Sequence, residues 1–475
     1  MLFNSIEFVI FFIIVTSAYF LLEHKYRWFL LLMASCYFYM AFVPIYILIL
    51  GFTIVIDYYA GILIENASGA RRKWWLVMSL VANIGVLAVF KYYNFLNDNL
   101  GFLLGQLGKE NPVPYLTILL PIGLSFHTFQ AMSYTIEVYR GHHKAERNFG
   151  IYALYVMFYP QLVAGPIERP QNILWQFYVK HEFEINRVVS GLKLMLWGFF
   201  KKLVVADRLA IYVNSAYNFP ENHSGLTLII ATVFFAFQIY CDFSGYSDIA
   251  IGSARVMGFD LMKNFNRPYF ASSISEFWKR WHISLSTWFR DYLYISLGGN
   301  RVALPRVYFN LFFTFLISGL WHGANWTYVI WGGLNGIYLV AALVRDRVLD
   351  KLNLKSAVKL PAFIMKPINI GFTFVLICFS WVFFRARNLS EAVTIIKKMF
   401  TLEGPVYTSN PTMFFCLLSI LMLLLVETKQ EYFSKAFSLM ENRNPVIRYS
   451  TYLAIILLIL LMGVFDGSQF IYFQF

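Results

Sequence analysis

Two histidines stand in strongly apolar surroundings: His282 in EFWKRWHISLSTWFRDYLY and His322 in VYFNLFFTFLISGLWHGANWTYVIWGG. An ionisable side chain at membrane depth costs about 2.5 kcal/mol or more, so such residues face a protein interior or a watery cavity. A neutral imidazole accepts a proton on one nitrogen while donating from the other, which suits it to deprotonating a hydroxyl in an acyl transfer. The alternative is a buried histidine bonded to a helix carbonyl, and for one such residue alone both readings stand. Two of them, each preceded by a Trp (Trp281 and Trp321), point toward chemistry.

Around His282 the spacing predicts a helix. Trp278, Trp281, Leu285 and Trp288 recur at intervals of 3, 4 and 3, which puts them on one face, with Lys279, His282 and Ser286 on the neighbouring stripe. Such a helix lies at an interface or lines a cavity instead of spanning, and its tryptophans read as interfacial anchors. Pro268 and the Leu297-Gly298-Gly299-Asn300 turn bound it. Lys279, Arg280, Arg290, Arg301 and Arg306 cluster nearby, a basic neighbourhood that suits a phosphate-bearing donor or a carrier protein, or else a solvated cytoplasmic loop. Asp242, Ser244, Tyr246 and Asp248 lie near the end of an apolar run, either as the wall or support of a tunnel or as a helix-end cap with its hydrogen-bond network.

The elements that must hold these residues are membrane helices. With 59% hydrophobic and 14% charged residues and a mean hydropathy of +0.58, the chain lies far from soluble composition. Apolar spans fall near 6–22, 28–42, 44–64, 74–95, 114–137, 150–165, 188–206, 226–241, 307–321, 326–344, 367–384, 412–426 and 449–465. Several are short or polar enough to be re-entrant, which predicts an all-α polytopic protein of roughly eleven crossings. The N-terminal run has no basic residue before it and no small-residue cleavage site after it, so it reads as a first spanning helix. His24-Lys25-Tyr26-Arg27, Arg71-Arg72-Lys73 and the stretch 427–448 read as cytoplasmic, while the first six residues and the tail after Val464 carry no Lys or Arg. Both termini are thus expected outside the cytoplasm, with residues 466–475 as an extracytoplasmic tail.

The net charge of +13 is scattered through short loops and reads as topogenic charge with attraction to anionic lipid or an acidic partner, not as a nucleic-acid surface. Four cysteines show no metal-ligand spacing, His142-His143 sits in a polar loop, and no metal site is expected. No internal repeat and no linker divides the chain, so 1–475 is read as one domain, and a repeat-built transporter is disfavoured. Gly332 and Gly336 permit close helix contact.

Four stretches carry a resemblance: QLVAGPIERP, QIYCDFSGYSDIAIGSARVMGFDLMKNFNRPY, EFWKRWHISLSTWFRDYLYISLGGNR and SGLWHGANWTYVIWGGLNG. Together, and in this order, they resemble the membrane-bound O-acyltransferases, specifically the alginate O-acetyltransferase branch, over nearly the whole chain. The resemblance implies membrane helices and re-entrant segments around a central funnel, in a bacterial inner membrane, with acyl transfer at its centre. It maps the family's near-invariant histidine onto His322, and the upstream motif position onto His282. His127 stands where an aromatic residue is expected, as a pore-lining group or a variant. Trp321 falls on the tunnel wall.

On this reading His322 is the general base on an acceptor hydroxyl, and His282 orients that hydroxyl or polarises the thioester carbonyl. No GxSxG elbow is visible and no bound cofactor is needed; acetyl-CoA or an acyl carrier thioester is the donor substrate. Lys279, Arg280, Arg290 and Arg301 are the candidate donor-binding groups. The implied product is an O-acetylated exported polysaccharide of alginate or cellulose type, made with an extracytoplasmic SGNH-type acetyltransferase or a synthesis complex; peptidoglycan O-acetylation and teichoic-acid D-alanylation are alternatives. A polysaccharide or lipid conduit without chemistry is the competing class, though it needs no base at membrane depth. Finally, the ending FIYFQF resembles the acyl-accepting tail of the small partner protein in teichoic-acid D-alanylation. That makes Tyr472 a candidate acyl relay, against the simpler reading of an aromatic membrane anchor.

Overall fold

The computed structural model describes residues 1–117, 121–163, 165–352, 361–402, 404–407, 409–433, 439–465 and 470–471. Among these every regular element is helical, and the chain is an all-α polytopic membrane protein. Seven helices are long and apolar enough to cross a bilayer by themselves: Pro44–Asn66, Gly69–Gln106, Gly225–Met257, Trp326–Lys351, Phe363–Arg385, Asn410–Tyr432 and Pro445–Met462. Other expected spans fall on shorter or more polar helices, among them Ile6–Leu21, His24–Met40, Leu124–Arg140 and Leu304–His322. Leu453, Leu457, Leu460 and Leu461 on Pro445–Met462 are exposed, as side chains that meet lipid tails must be. By contrast 78% of the apolar window of Gly225–Met257 is buried, which makes it a core helix.

Some expected spans are broken. Within the stretch 114–137 a helix starts at Leu124, after Gly123 takes a left-handed φ of 75° that a side chain would resist. The stretch 150–165 divides into Phe149–Met157 and Tyr159–Leu162, because Pro160 removes an amide that a continuous helix would use. Conversely, the run expected to end near 241 continues to Met257.

The described residues form two compact units. The first comprises Met1–Gly198 with Tyr246–Met262. Inside it, Asp57 accepts hydrogen bonds from Ser79 Oγ at 2.6 Å and from Asn83 Nδ2 at 2.8 Å, and Ser79 also reaches Thr135 Oγ1 at 3.1 Å. A carboxylate that cannot reach water is satisfied this way, and three helices are pinned in register. The second unit comprises Phe199–Gly245 with Lys263–Ile471 and carries both sequence-predicted histidines. There the Leu304–His322 and Trp326–Lys351 helices pack through glycines. A Cβ on Gly332 would lie 2.3 Å from the Phe315 carbonyl oxygen, and one on Gly319 2.2 Å from that of Tyr328. Backbones this close fix the end of the first helix, where His322 sits.

Candidate active site

The segment around His282 is not the continuous helix that its spacing predicts. It forms two short helices, Ile274–Arg280 and Ile283–Trp288, with His282 between them at a left-handed φ of 41°. A break strands backbone groups, and a neighbouring loop takes them up: Asn266 N–H donates to the Arg280 carbonyl at 2.9 Å, and Ile283 N–H to the Asn264 carbonyl at 2.8 Å. A non-glycine residue in this conformation is strained by about 1–3 kcal/mol, and such strain gathers at functional sites. Trp281 and Trp288 are buried, so they are core residues here and not interfacial anchors.

The side chain of His282 is buried among named partners. Its Nδ1 lies 3.1 Å from Asn264 Oδ1, which also accepts from Ser284 N–H at 3.2 Å and Ser284 Oγ at 3.0 Å. Phe243 stands edge-on to the imidazole with ring centroids 4.5 Å apart. His322 ends its helix inside an aromatic enclosure: Trp321 and Trp331 each 5.0 Å away and Phe384 at 5.3 Å, all edge-on. Trp321 also faces His282 at 6.5 Å. Both histidines line one cavity of about 400 Å³, large enough for a small acyl group and the arm that carries it.

Other predicted residues distribute unevenly. Lys279 and Arg290 line the same cavity, with Arg290 also paired to Asp291 at 2.7 Å. Arg280 bonds Glu276 at 2.7 Å and Glu431 at 2.9 Å, and Arg267 joins Glu431 at 2.7 Å. Arg301 is exposed and is not among the residues lining the cavity. His127 is buried in the first unit beside Tyr39. Asp242 and Ser244 fall inside the Gly225–Met257 helix and so are not a helix-end cap. Asp242 is instead part of a buried ionic cluster: Lys202 Nζ lies 2.6 Å from Asp242 and 2.7 Å from Asp207, and Ile471 N–H donates to the other Asp242 oxygen at 2.7 Å. Ser244 accepts from Lys201 at 2.9 Å. Tyr246 belongs to the first unit and stacks on Phe3; Asp248, in the same unit, is half-buried. Tyr472 lies outside the described residues. Among the described residues, no group of three or more His, Cys, Asp or Glu is arranged to hold a metal ion.

Three contributors escaped the sequence reading. Asn264 lies inside the quoted motif MKNFNRPY, but nothing local marks it as a histidine partner. Trp331 and Phe384 close the enclosure of His322 from helices later in the chain, and buried aromatics are too common here to single them out.

Comparison with known proteins gives the family of the chain. The family model for membrane-bound O-acyltransferases matches residues 16–386. The probable alginate O-acetylase AlgI of Pseudomonas aeruginosa is 40% identical over 405 residues, covering 84% of this chain and 75% of that protein. The peptidoglycan O-acetyltransferase of Helicobacter pylori is 35% identical over 401 residues, covering 79% and 74%. The teichoic acid D-alanyltransferase of Bacillus subtilis is 26% identical over 279 residues, covering 56% and 69%. His282, His322 and the cavity between their elements all fall within the matched span, and this multi-pass membrane enzyme, an O-acyltransferase, belongs to the membrane-bound O-acyltransferase family.

Proposed function

We propose that the enzyme draws acetyl groups from a cytoplasmic thioester, acetyl-CoA or an acyl carrier, and passes them across a bacterial inner membrane for O-acetylation of an exported polysaccharide of alginate type. The observation that carries this reading is the pair of buried histidines on one cavity. His322 takes the proton of an acceptor hydroxyl as its oxygen attacks the thioester carbonyl; the C–S bond breaks, and the departing thiolate recovers the proton. His282 acts on the same reacting groups. Lys279 and Arg290, on the same cavity, attract the phosphates of the donor or the acidic face of a carrier. The relatives named as alginate O-acetylases support acetyl as the group and alginate as the polymer class.

An acyl group must also leave the cavity on the outer side. With both termini outside the cytoplasm, Tyr472 takes the acyl group on its phenol and hands it to an extracytoplasmic transferase of the SGNH type. A phenol with a pKa near 10 leaves more readily than an alkyl alcohol, so its ester retains the potential to acylate a sugar hydroxyl.

The test is His322→Ala, purified and supplied with acetyl-CoA. Thioester-dependent transfer should fall about 10²- to 10⁴-fold while the protein still elutes as a single folded species. Cells carrying the variant should export the polymer unacetylated. Near-normal turnover would remove His322 from the chemistry, and unchanged alginate acetylation alongside altered peptidoglycan would move the acceptor to the cell wall.

A further inference from the structure

We infer that Asn264 is a positioning residue that sets which nitrogen of His282 carries the proton, so that His282 meets the acceptor hydroxyl as a hydrogen-bond acceptor and does not donate to the thioester carbonyl. This deepens the role proposed for His282 and rests on it.

One donor beside His282 has a fixed chemical identity. Ser284 N–H is a backbone amide and can only donate, and it points at the side chain of Asn264 at 3.2 Å. The Asn264 atom it meets must therefore be the carbonyl oxygen, Oδ1, which excludes the flipped amide. The same oxygen lies 3.1 Å from His282 Nδ1. An amide oxygen only accepts, so Nδ1 carries the proton and donates. In a neutral imidazole the lone pair then falls on Nε2. A nitrogen with a lone pair takes a hydrogen bond from a hydroxyl but offers nothing to a carbonyl oxygen. The two roles open to His282 on sequence are thereby separated.

The backbone makes the setting rigid. Asn264 also accepts from Ile283 N–H through its main-chain carbonyl at 2.8 Å, so one residue grips both the side chain of His282 and the peptide that follows it. His282 itself holds a left-handed φ of 41° beside this grip. Partners that orient a functional histidine by its other nitrogen commonly matter about 10- to 100-fold. Phe243, Phe265 and Trp321 pack around the imidazole, and His322, Lys279, Arg290 and Tyr294 are the titratable groups on the same cavity.

The experiment uses the full chain in membrane vesicles from cells that also hold the downstream transferase, with acetyl-CoA as donor and an alginate-type oligosaccharide as final acceptor, following thiol release against pH. Asn264→Ala should lower kcat at least about tenfold with the donor KM held within about twofold. Asn264→Asp puts a carboxylate on Nδ1 and favours the imidazolium, so the acidic limb of the kcat profile should move up by about one pH unit or more, with activity recovering above it. Unchanged kcat in Asn264→Ala, or an Asn264→Asp profile that superimposes on the wild type, overturns the inference. Should Asn264→Ala fail to fold, the near-isosteric Asn264→Asp still decides through its pH profile. His282→Ala run in parallel separates the two claims: its full activity would refute the role of His282, whereas its inactivity beside a fully active Asn264→Ala would refute positioning alone.

Discussion

Arg280 and Arg290 belong to one basic stretch, yet they face different chemistry. Arg280 is held by Glu276 and Glu431, whereas Arg290 lines the cavity of the two histidines. Arg290→Glu should therefore raise the apparent donor KM, an effect that shrinks as salt screens the charge, when initial rates are measured over an acetyl-CoA series. Arg280→Gln should leave that KM in place and instead cost about 1–3 kcal/mol of stability, read by thermal unfolding in detergent. The same network predicts a pH response. Burial pushes the Glu276 carboxyl up, but the Ser272 amide and hydroxyl and Arg280 outweigh it and hold it below its ordinary value. A lowered carboxyl contributes stability above its unfolded pKa and loses it as pH falls through the folded one. Unfolding temperature should fall in that acidic range in the wild type and fall less in Glu276→Gln. The histidines were legible as residues because an ionisable group in an apolar run is conspicuous; Asn264 was not, since an Asn in a polar loop has many ordinary uses.

At the scale of elements, close helix packing sets where His322 points. A Cβ on Gly332 would meet the Phe315 carbonyl oxygen at 2.3 Å and Gly319 Cα at 3.0 Å, and backbone cannot swing aside as a side chain can. Gly332→Ala should thus separate the Leu304–His322 and Trp326–Lys351 helices, cost about 1–3 kcal/mol and reduce turnover. Gly371→Ala, with nothing within 4 Å, is the matched control and should be neutral in both thermal unfolding and activity. Gly332 was readable as a contact point from its small size in an apolar helix. The break at His282 was not, because the 3.6-residue period holds on both sides of it and no Gly or Pro marks it. What makes the break affordable is Asn264–Asn266, whose backbone replaces the missing helical bonds.

For the molecule as a whole, Phe470 and Ile471 tie the far end of the described residues into the second unit. Ile471 N–H donates to Asp242, Phe470 packs on Phe243 at 5.4 Å, and Phe243 also meets His282 at 4.5 Å. The relay proposed for Tyr472, the next residue in the chain, is open to a direct test. Intact-protein mass spectrometry of a strain lacking the downstream transferase should find an acyl adduct on the terminal peptide. Tyr472→Phe should remove that adduct and stop polymer acetylation while donor binding persists; full polymer acetylation in Tyr472→Phe would reduce the tail to an anchor.

Composition and hydropathy by themselves determined that this chain lives in a bilayer as a bundle of helices, since the cost of placing charge in lipid is local and adds residue by residue. The apolar context of His282 and His322, and the motifs that hold them, were likewise readable along one dimension. Tertiary structure alone decided the rest. Asn264, His282, His322, Trp331 and Phe384 come from five separate segments, and their meeting depends on packing distances that no local pattern encodes. The same holds for Lys202, whose charge is tolerable at full burial only because Asp207 and Asp242, distant in sequence from one another, arrive within hydrogen-bonding reach.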